Sequence, residues 1–209
     1  MRSQLSFLAL GGVMALSLSA VAGAQPQMPT PQHDYKAAPA GKYAIDPKHT
    51  GLVARVPHMG FSYSVFRFQT VAGTLAWDPA NPAADKLDVS VDAKSITTAP
   101  VEGFTDELTG DKFLNADKFS TITFKSTQVV QAGETLKITG DLTFLGVTRP
   151  VTLLGSVVGS LEKHPFMGKG VVGFSATGTV KRSDWGMIGT QSFLGDDVTI
   201  IFEGEFDQQ

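Results

Sequence analysis

YAIDPKHTGLVARVPHMGFSYSVFRFQTVAGTLAW, residues 43–77, alternates residue types at period two and is interrupted at Met59-Gly60 and at Gly73. In an extended chain successive side chains point to opposite faces. Leu52, Ala54, Val56 and His58 therefore share one face, while Val53, Arg55 and Pro57 share the other, with the Arg55 charge outward. Met59-Gly60 is read as a turn, after which the run resumes through Phe66, Phe68, Val71, Leu75 and Trp77. Gly73 within a strand pattern predicts a bulge or a sharp bend. A sheet that bends this early is preparing to close.

Working outward from that stretch, the same alternation recurs. Asp78-Pro79-Ala80-Asn81-Pro82 is a turn cluster, and Leu87, Val89, Val91 and Ala93 then alternate with Asp88, Ser90 and Asp92 as in a half-buried strand. Residues 100–119 break the period; Phe104, Leu108, Phe113, Leu114 and Phe119 suit one or two short helices interrupted by Gly110. Strands return with Ile122 and Phe124, then with Leu136, Ile138, Leu142 and Phe144, joined by a hairpin loop over 131–134. Residues 146–150 read as the next turn, 151–161 and 170–182 as two more strands, and 198–206 as the last, alternating Val198, Ile200 and Phe202 against Thr199, Ile201 and Glu203. About eight antiparallel strands, each with one apolar face, plus a short helical insertion, predict an all-β barrel that removes its own edges.

Towards the N-terminus, Arg2 precedes an apolar run over 5–22, and Ala22-Gly23-Ala24 places small residues at −3 and −1 of a cleavage after Ala24. This is the pattern of a secretory signal peptide, and it predicts a mature protein in the periplasm. Residues 25–41, rich in Pro, Gln and Ala, are read as a mobile linker, leaving 42–209 as the folded barrel.

The chain has 209 residues, 42% hydrophobic and 18% charged, with 22 Gly and 11 Pro, which suits one domain with many turns and a sizeable core. The absence of Cys means an exported chain depends on that core alone. With a net charge of −3 and no basic cluster interleaved with aromatics, nucleic-acid binding is not supported. Catalytic motifs fare no better. Gly168-Lys169-Gly170-Val171-Val172-Gly173 matches the spacing of a dinucleotide loop, but strand residues come next where a helix is needed. Ser175 lacks the second Gly of a nucleophile elbow, and Asp196-Asp197 after Gly195 reads as a turn. His49 and His58 with Asp46 are read as structural residues and not as a metal site, and no cofactor is required.

Several motifs occur in one order: Tyr43-x-Ile45-Asp46-Pro47-x-His49-Thr50, His58-x-Gly60, Asn81-Pro82, Ser95-Ile96-x-Thr98, Phe113-Leu114, Thr123-Phe124-x-Ser126, Gly140-x-Leu142-Thr143-x-x-Gly146-Val147-Thr148-x-Pro150 and Arg182-Ser183-Asp184. Together they resemble the YceI family of exported, lipocalin-like carriers of polyisoprenoid lipids, over essentially all of 41–207. One departure stands out: where the family often has Arg-Asp-x-His-Leu, this chain has Phe104-Thr105-Asp106-Glu107-Leu108.

The resemblance implies a barrel capped by the helical insertion, with an apolar tunnel for a polyisoprenoid, an isoprenoid quinone or a similar long-chain fatty amphiphile. Combined with the inward alternation, it nominates as lipid-binding residues Leu52, Ala54, Val56, His58, Phe66, Phe68, Val89, Val91, Phe113, Leu114, Ile122, Phe124, Ile138, Leu142, Phe144, Phe174, Ile200 and Phe202. Ala54, Gly140, Ala176 and Gly178 are the small inward candidates that would leave room. An eight-stranded barrel is wide enough either to be filled by its own side chains or to hold one slender ligand, and residue pattern alone does not decide. Two other readings stand beside the carrier: an enzyme with Asp/His groups at the barrel mouth, marked by strongly shifted pKa values, and a solid-core adhesion or stress module, marked by the lack of a cavity. Transient membrane contact and a homodimer are left open.

Overall fold

A computed structural model of the protein describes residues 28–190 and 192–209; the expected leader over 1–24 lies outside the described residues. In chain order the ten strands are β1 Gly41–His58, β2 Ser62–Phe68, β3 Val71–Trp77, β4 Lys86–Asp92, β5 Ile96–Thr97, β6 Thr121–Ala132, β7 Thr135–Phe144, β8 Val147–Leu161, β9 Val171–Lys181 and β10 Asp197–Gln208. One helix, α1 Phe104–Thr109, lies between β5 and β6. Around the wall the strands pair antiparallel in the order β1, β3, β4, β6, β7, β8, β9, β10, and β10 pairs back onto β1. The fold is thus an eight-stranded closed antiparallel barrel.

Of the two remaining strands, β5 pairs only with the end of β2, and β2 itself arises because one long partner of β1 is broken into β2 and β3. β2 pairs with the C-terminal half of β1, from Leu52↔Phe68 to His58↔Ser62, and β3 with its N-terminal end, from Gly41↔Trp77 to Ala44↔Thr74. The break at Gln69 and Thr70 faces a stretch of β1 that is itself irregular between Ile45 and Thr50. The β1–β2 turn is closed by the Phe61 N–H donating to His58 O at 3.0 Å, with φ of 50° at Met59 and 74° at Gly60. Two consecutive positive φ values match the right-handed twist of the flanking strands.

Three expectations are corrected and one is met. β3 keeps unbroken register with β4 through Gly73, so there is no bulge there; a Cβ at that position would lie 2.9 Å from the Ile45 side chain and 2.7 Å from Asp88 O, and glycine is present because Ile45 crosses it. The expected helical insertion over 100–119 is the single short helix α1, ended at Gly110, and residues 110–119 fold back on it through Leu114 N–H to Leu108 O at 3.0 Å and Ala116 N–H to Thr109 O at 2.9 Å. The turn expected over 146–150 is confined to Leu145-Gly146, and Pro150 lies inside β8 opposite Asp141. β9 pairing begins only at Leu154, so the missing Pro150 N–H faces no strand on that side.

The third correction concerns the linker. Residues 32–40 cross the end of the barrel where β1 begins. Gln32 bridges to Ser160 at the end of β8, and Tyr43 Oη donates to Pro39 O at 2.6 Å. Tyr35 is 4% exposed and stacks on Trp77 with ring centroids 4.0 Å apart, while the Trp77 indole N–H donates to Ala38 O. Two aromatic rings and a chain of backbone acceptors tie down a segment whose composition alone suggested solvation. The opposite end is capped by α1, by 110–119 and by the chain after β9.

Candidate ligand cavity

Inside the wall lies a cavity of about 250 Å³. That is roughly twenty times the ~10–15 Å³ one water needs. Every one of the eight wall strands contributes side chains to it. Of the residues nominated from sequence, all except His58 line it. His58 ends β1 and bridges to Leu194, beyond the point where the wall encloses space. Ala54 and Ala176 line the cavity, whereas Gly140 and Gly178 do not. A Cβ at Gly140 would stand 2.5 Å from both Lys125 O and the Phe124 ring, and one at Gly178 2.6 Å from Leu153. These glycines permit close packing in the wall and do not open the interior.

The caps add what the period-two reading could not reach, because their residues are not on strands. Leu108 on α1, Trp185, Met187 and Leu194 close one end. Phe104 packs edge-on against Phe66 at 6.4 Å, and Asp106 and Glu107 face outward. The acidic pair at the family departure is therefore solvated, while Leu108 keeps the inward position.

Two buried charges frame the apolar space. At the strap end Asp85 is 2% exposed; it accepts the Tyr35 hydroxyl and, at 2.7 Å, the Asp78 N–H. Burial pushes its carboxyl up to about 6, opposed by those two hydrogen bonds. Burial and then the Asp85 carboxylate push the Tyr35 phenol far above its ordinary range. At the cap end Arg182 is 3% exposed, and its guanidinium donates to four backbone oxygens, those of Met187, Gly189, Leu194 and Gly195, at 2.7–3.1 Å. It pins the cap with a fork of donors that only guanidinium supplies. Neither residue carried a signal beyond its motif context: Asp85 is a lone acid before a strand, and Arg182 the first residue of Arg-Ser-Asp.

Outside the barrel, Asp46, His49 and Glu205 converge, with ligand atoms within 4.8 Å of one another. His58, expected with them in the metal reading, sits at the far end of β1. The Asp46 carboxylate is already engaged: it accepts the Lys48 N–H at 2.8 Å and His49 Nδ1 lies 2.6 Å away, which closes a turn. That hydrogen bond holds His49 more basic than usual. The near-match to a dinucleotide loop runs directly into β9, and Ser175 Oγ donates to Glu203 at 2.8 Å.

A closed antiparallel barrel around one apolar cavity is a small-ligand-binding architecture. The chain belongs to the YceI family: the model of the YceI-like domain matches residues 43–206. It is 34% identical to a UPF0312 protein of Enterobacter sp. strain 638 over 209 residues, covering 100% of this chain and 99% of that one. Its fold matches the crystal structure of Burkholderia cenocepacia BcnA, with a TM-score of 0.67 at 21% identity over 77% of this chain and 98% of that one. It also matches a polyisoprenoid binding domain from Saccharophagus degradans, with a TM-score of 0.59 at 12% identity over 80% of this chain and 98% of that one.

Proposed function

We propose that this protein is an exported, non-catalytic carrier that holds a polyisoprenoid or a similar long-chain amphiphile inside the barrel. The observation that carries the reading is the cavity itself, lined from all eight wall strands by Leu, Val, Ile and Phe and left unfilled by them. Such an apolar space favours an apolar chain over water. Each buried CH₂ contributes about 0.8 kcal/mol on transfer from water. A solid-core module has no counterpart to this space. The match to a domain described as polyisoprenoid binding, together with family membership, supports the ligand class. The enzyme reading rests on Asp85, whose carboxyl is shifted as a catalytic acid would be; but both its oxygens are engaged, by Tyr35 and by a backbone N–H, and among the described residues no His joins it.

The test is to purify the protein natively from the periplasm, denature it, extract with organic solvent and identify the lipid by mass spectrometry. One apolar chain per protein is expected. Recovery of a periplasmic, folded protein that carries no lipid and takes none up from detergent solution overturns the reading.

A further inference from the structure

We propose that the tip of the β1–β2 hairpin is a docking surface for an anionic lipid bilayer, set beside the capped end of the cavity. The proposal rests on the carrier reading, since it names where the chain in the cavity comes from. Although the chain has a net charge of −3, residues 51–70 contain Arg55, His58 and Arg67 and not one Asp or Glu. On the same hairpin Phe61 is 84% exposed, and Met59, Tyr63 and Val65 are also exposed large apolar side chains. The Arg55 guanidinium lies 4.3 Å over the Tyr63 ring. Neither arginine forms an ion pair among the described residues.

The tip is extended by the cap. Met59 N–H donates to Phe193 O at 2.9 Å, and Phe193 and Ile188 are exposed as well. Of the next acids along the chain, Asp197 pairs with Lys181, and Asp196 is turned onto Ser183, accepting from its N–H and Oγ, which hold it ionised. Aromatic and apolar side chains among unpaired arginines fit a bilayer interface, where the rings enter the acyl boundary and the cations meet phosphate headgroups. An apolar hairpin that bears Arg55 and His58 and has no carboxylate of its own complements an anionic surface more closely than it does an ordinary protein surface, whose apolar patch would carry both signs.

The geometry joins this surface to the interior. Tyr63, Val65 and Arg67 alternate along β2 with Phe66 and Phe68, which line the cavity. Leu194, bridged to His58, lines it too. Docking thus brings the bilayer against the strands and cap that bound the cavity, which spares an apolar chain a passage through water.

The test is co-sedimentation of the full mature protein with vesicles of phosphatidylcholine, alone or with phosphatidylglycerol. The wild type is expected to bind the anionic vesicles and to release in salt. Exchange of Arg55 for Gln should weaken binding roughly fivefold, whereas the same exchange at Arg67, which pairs with Val53 and reaches Thr50 O away from the tip, should change it less. The double variant Phe61→Ser, Phe193→Ser should weaken it by about tenfold or more, and Leu154→Ser, an exposed leucine on β8, should leave it unchanged. All these side chains are exposed or half-buried, so circular dichroism should show intact barrels. Wild-type failure to bind anionic vesicles, or variants that bind as the wild type does, overturns the docking proposal. So does a finding that the Phe61 and Phe193 changes abolish a dimer in sedimentation velocity instead, which would give the surface to a second copy. Extracted lipid is measured in parallel: protein full of lipid that ignores vesicles defeats only the docking surface, and protein that binds vesicles but never carries lipid defeats only the carrier reading.

Discussion

Asp85 is an ionisable group held where ionisation is costly, and this makes the barrel's stability depend on pH in a direction opposite to that of most carboxylates. Its folded pKa of about 6 lies above the usual unfolded value. Between roughly pH 4 and 6 the unfolded chain has released this proton while the native protein retains it, so stability falls as pH rises through that window. The full penalty, on the order of 3 kcal/mol, is in place above pH 6. Asp85→Asn is therefore expected to flatten the slope between pH 4 and 6 in denaturant titrations. Tyr35→Phe removes the donor that favours the charged form and should cost about 1–3 kcal/mol at pH 7 and less at pH 5. An equal cost at both pH values would show that Tyr35 acts only by packing on Trp77. Arg182 gives a second prediction at this scale. Replacing it with Met leaves four cap carbonyls without their donor and should destabilise by about 2–4 kcal/mol. Hydrogen exchange should accelerate first at Gly195 and at Met187, whose N–H groups bond to Pro57 O and Arg182 O.

At the scale of elements, period-two alternation was enough to place most wall strands, because each buries one face and a one-residue slip would expose it. It misjudged positions where a small or rigid residue serves a neighbour. Gly73 accommodates Ile45, Gly140 accommodates Phe124, and Pro150 occupies a local edge, none of which leaves a trace in the residue's own segment. The distinction between wall glycine and cavity alanine is testable. Ala54→Trp and Ala176→Trp add a ring to the cavity and should lower extracted lipid per folded protein, with an overpacking cost of about 1–3 kcal/mol. Gly140→Ala adds one methyl against Lys125 O and the Phe124 ring, where the bulge of β6 between Ser126 and Gln128 leaves no slack. It should lose a similar amount of stability while keeping its full lipid load. If Gly140→Ala empties the barrel and the tryptophan variants do not, the lining is misassigned.

At the scale of the whole molecule, what the alternation could not show is how the ends close, because closure is made by segments that have no period. The Pro- and Ala-rich strap and the cap after β9 are held by single residues: Tyr35 against Trp77 and Asp85, and Arg182 against four carbonyls. Deleting the chain before Gly41 therefore tests closure directly. It uncovers Trp77 and removes the buried Tyr35 and Ala38, a loss of about 3 kcal/mol from apolar burial alone. For a domain of this size that lowers the melting temperature by on the order of 10 °C. It also rehydrates Asp85, so the pKa that burial had raised returns toward its ordinary value. The stability slope between pH 4 and 6 should then vanish together with the strap. Preloaded lipid should leave the truncated barrel faster, because one end of the cavity is open. Melting curves at pH 4.5 and 7 on both chains decide the matter: a truncated protein with the wild-type midpoint and the wild-type pH dependence would show that residues 28–40 lie on the barrel without closing it.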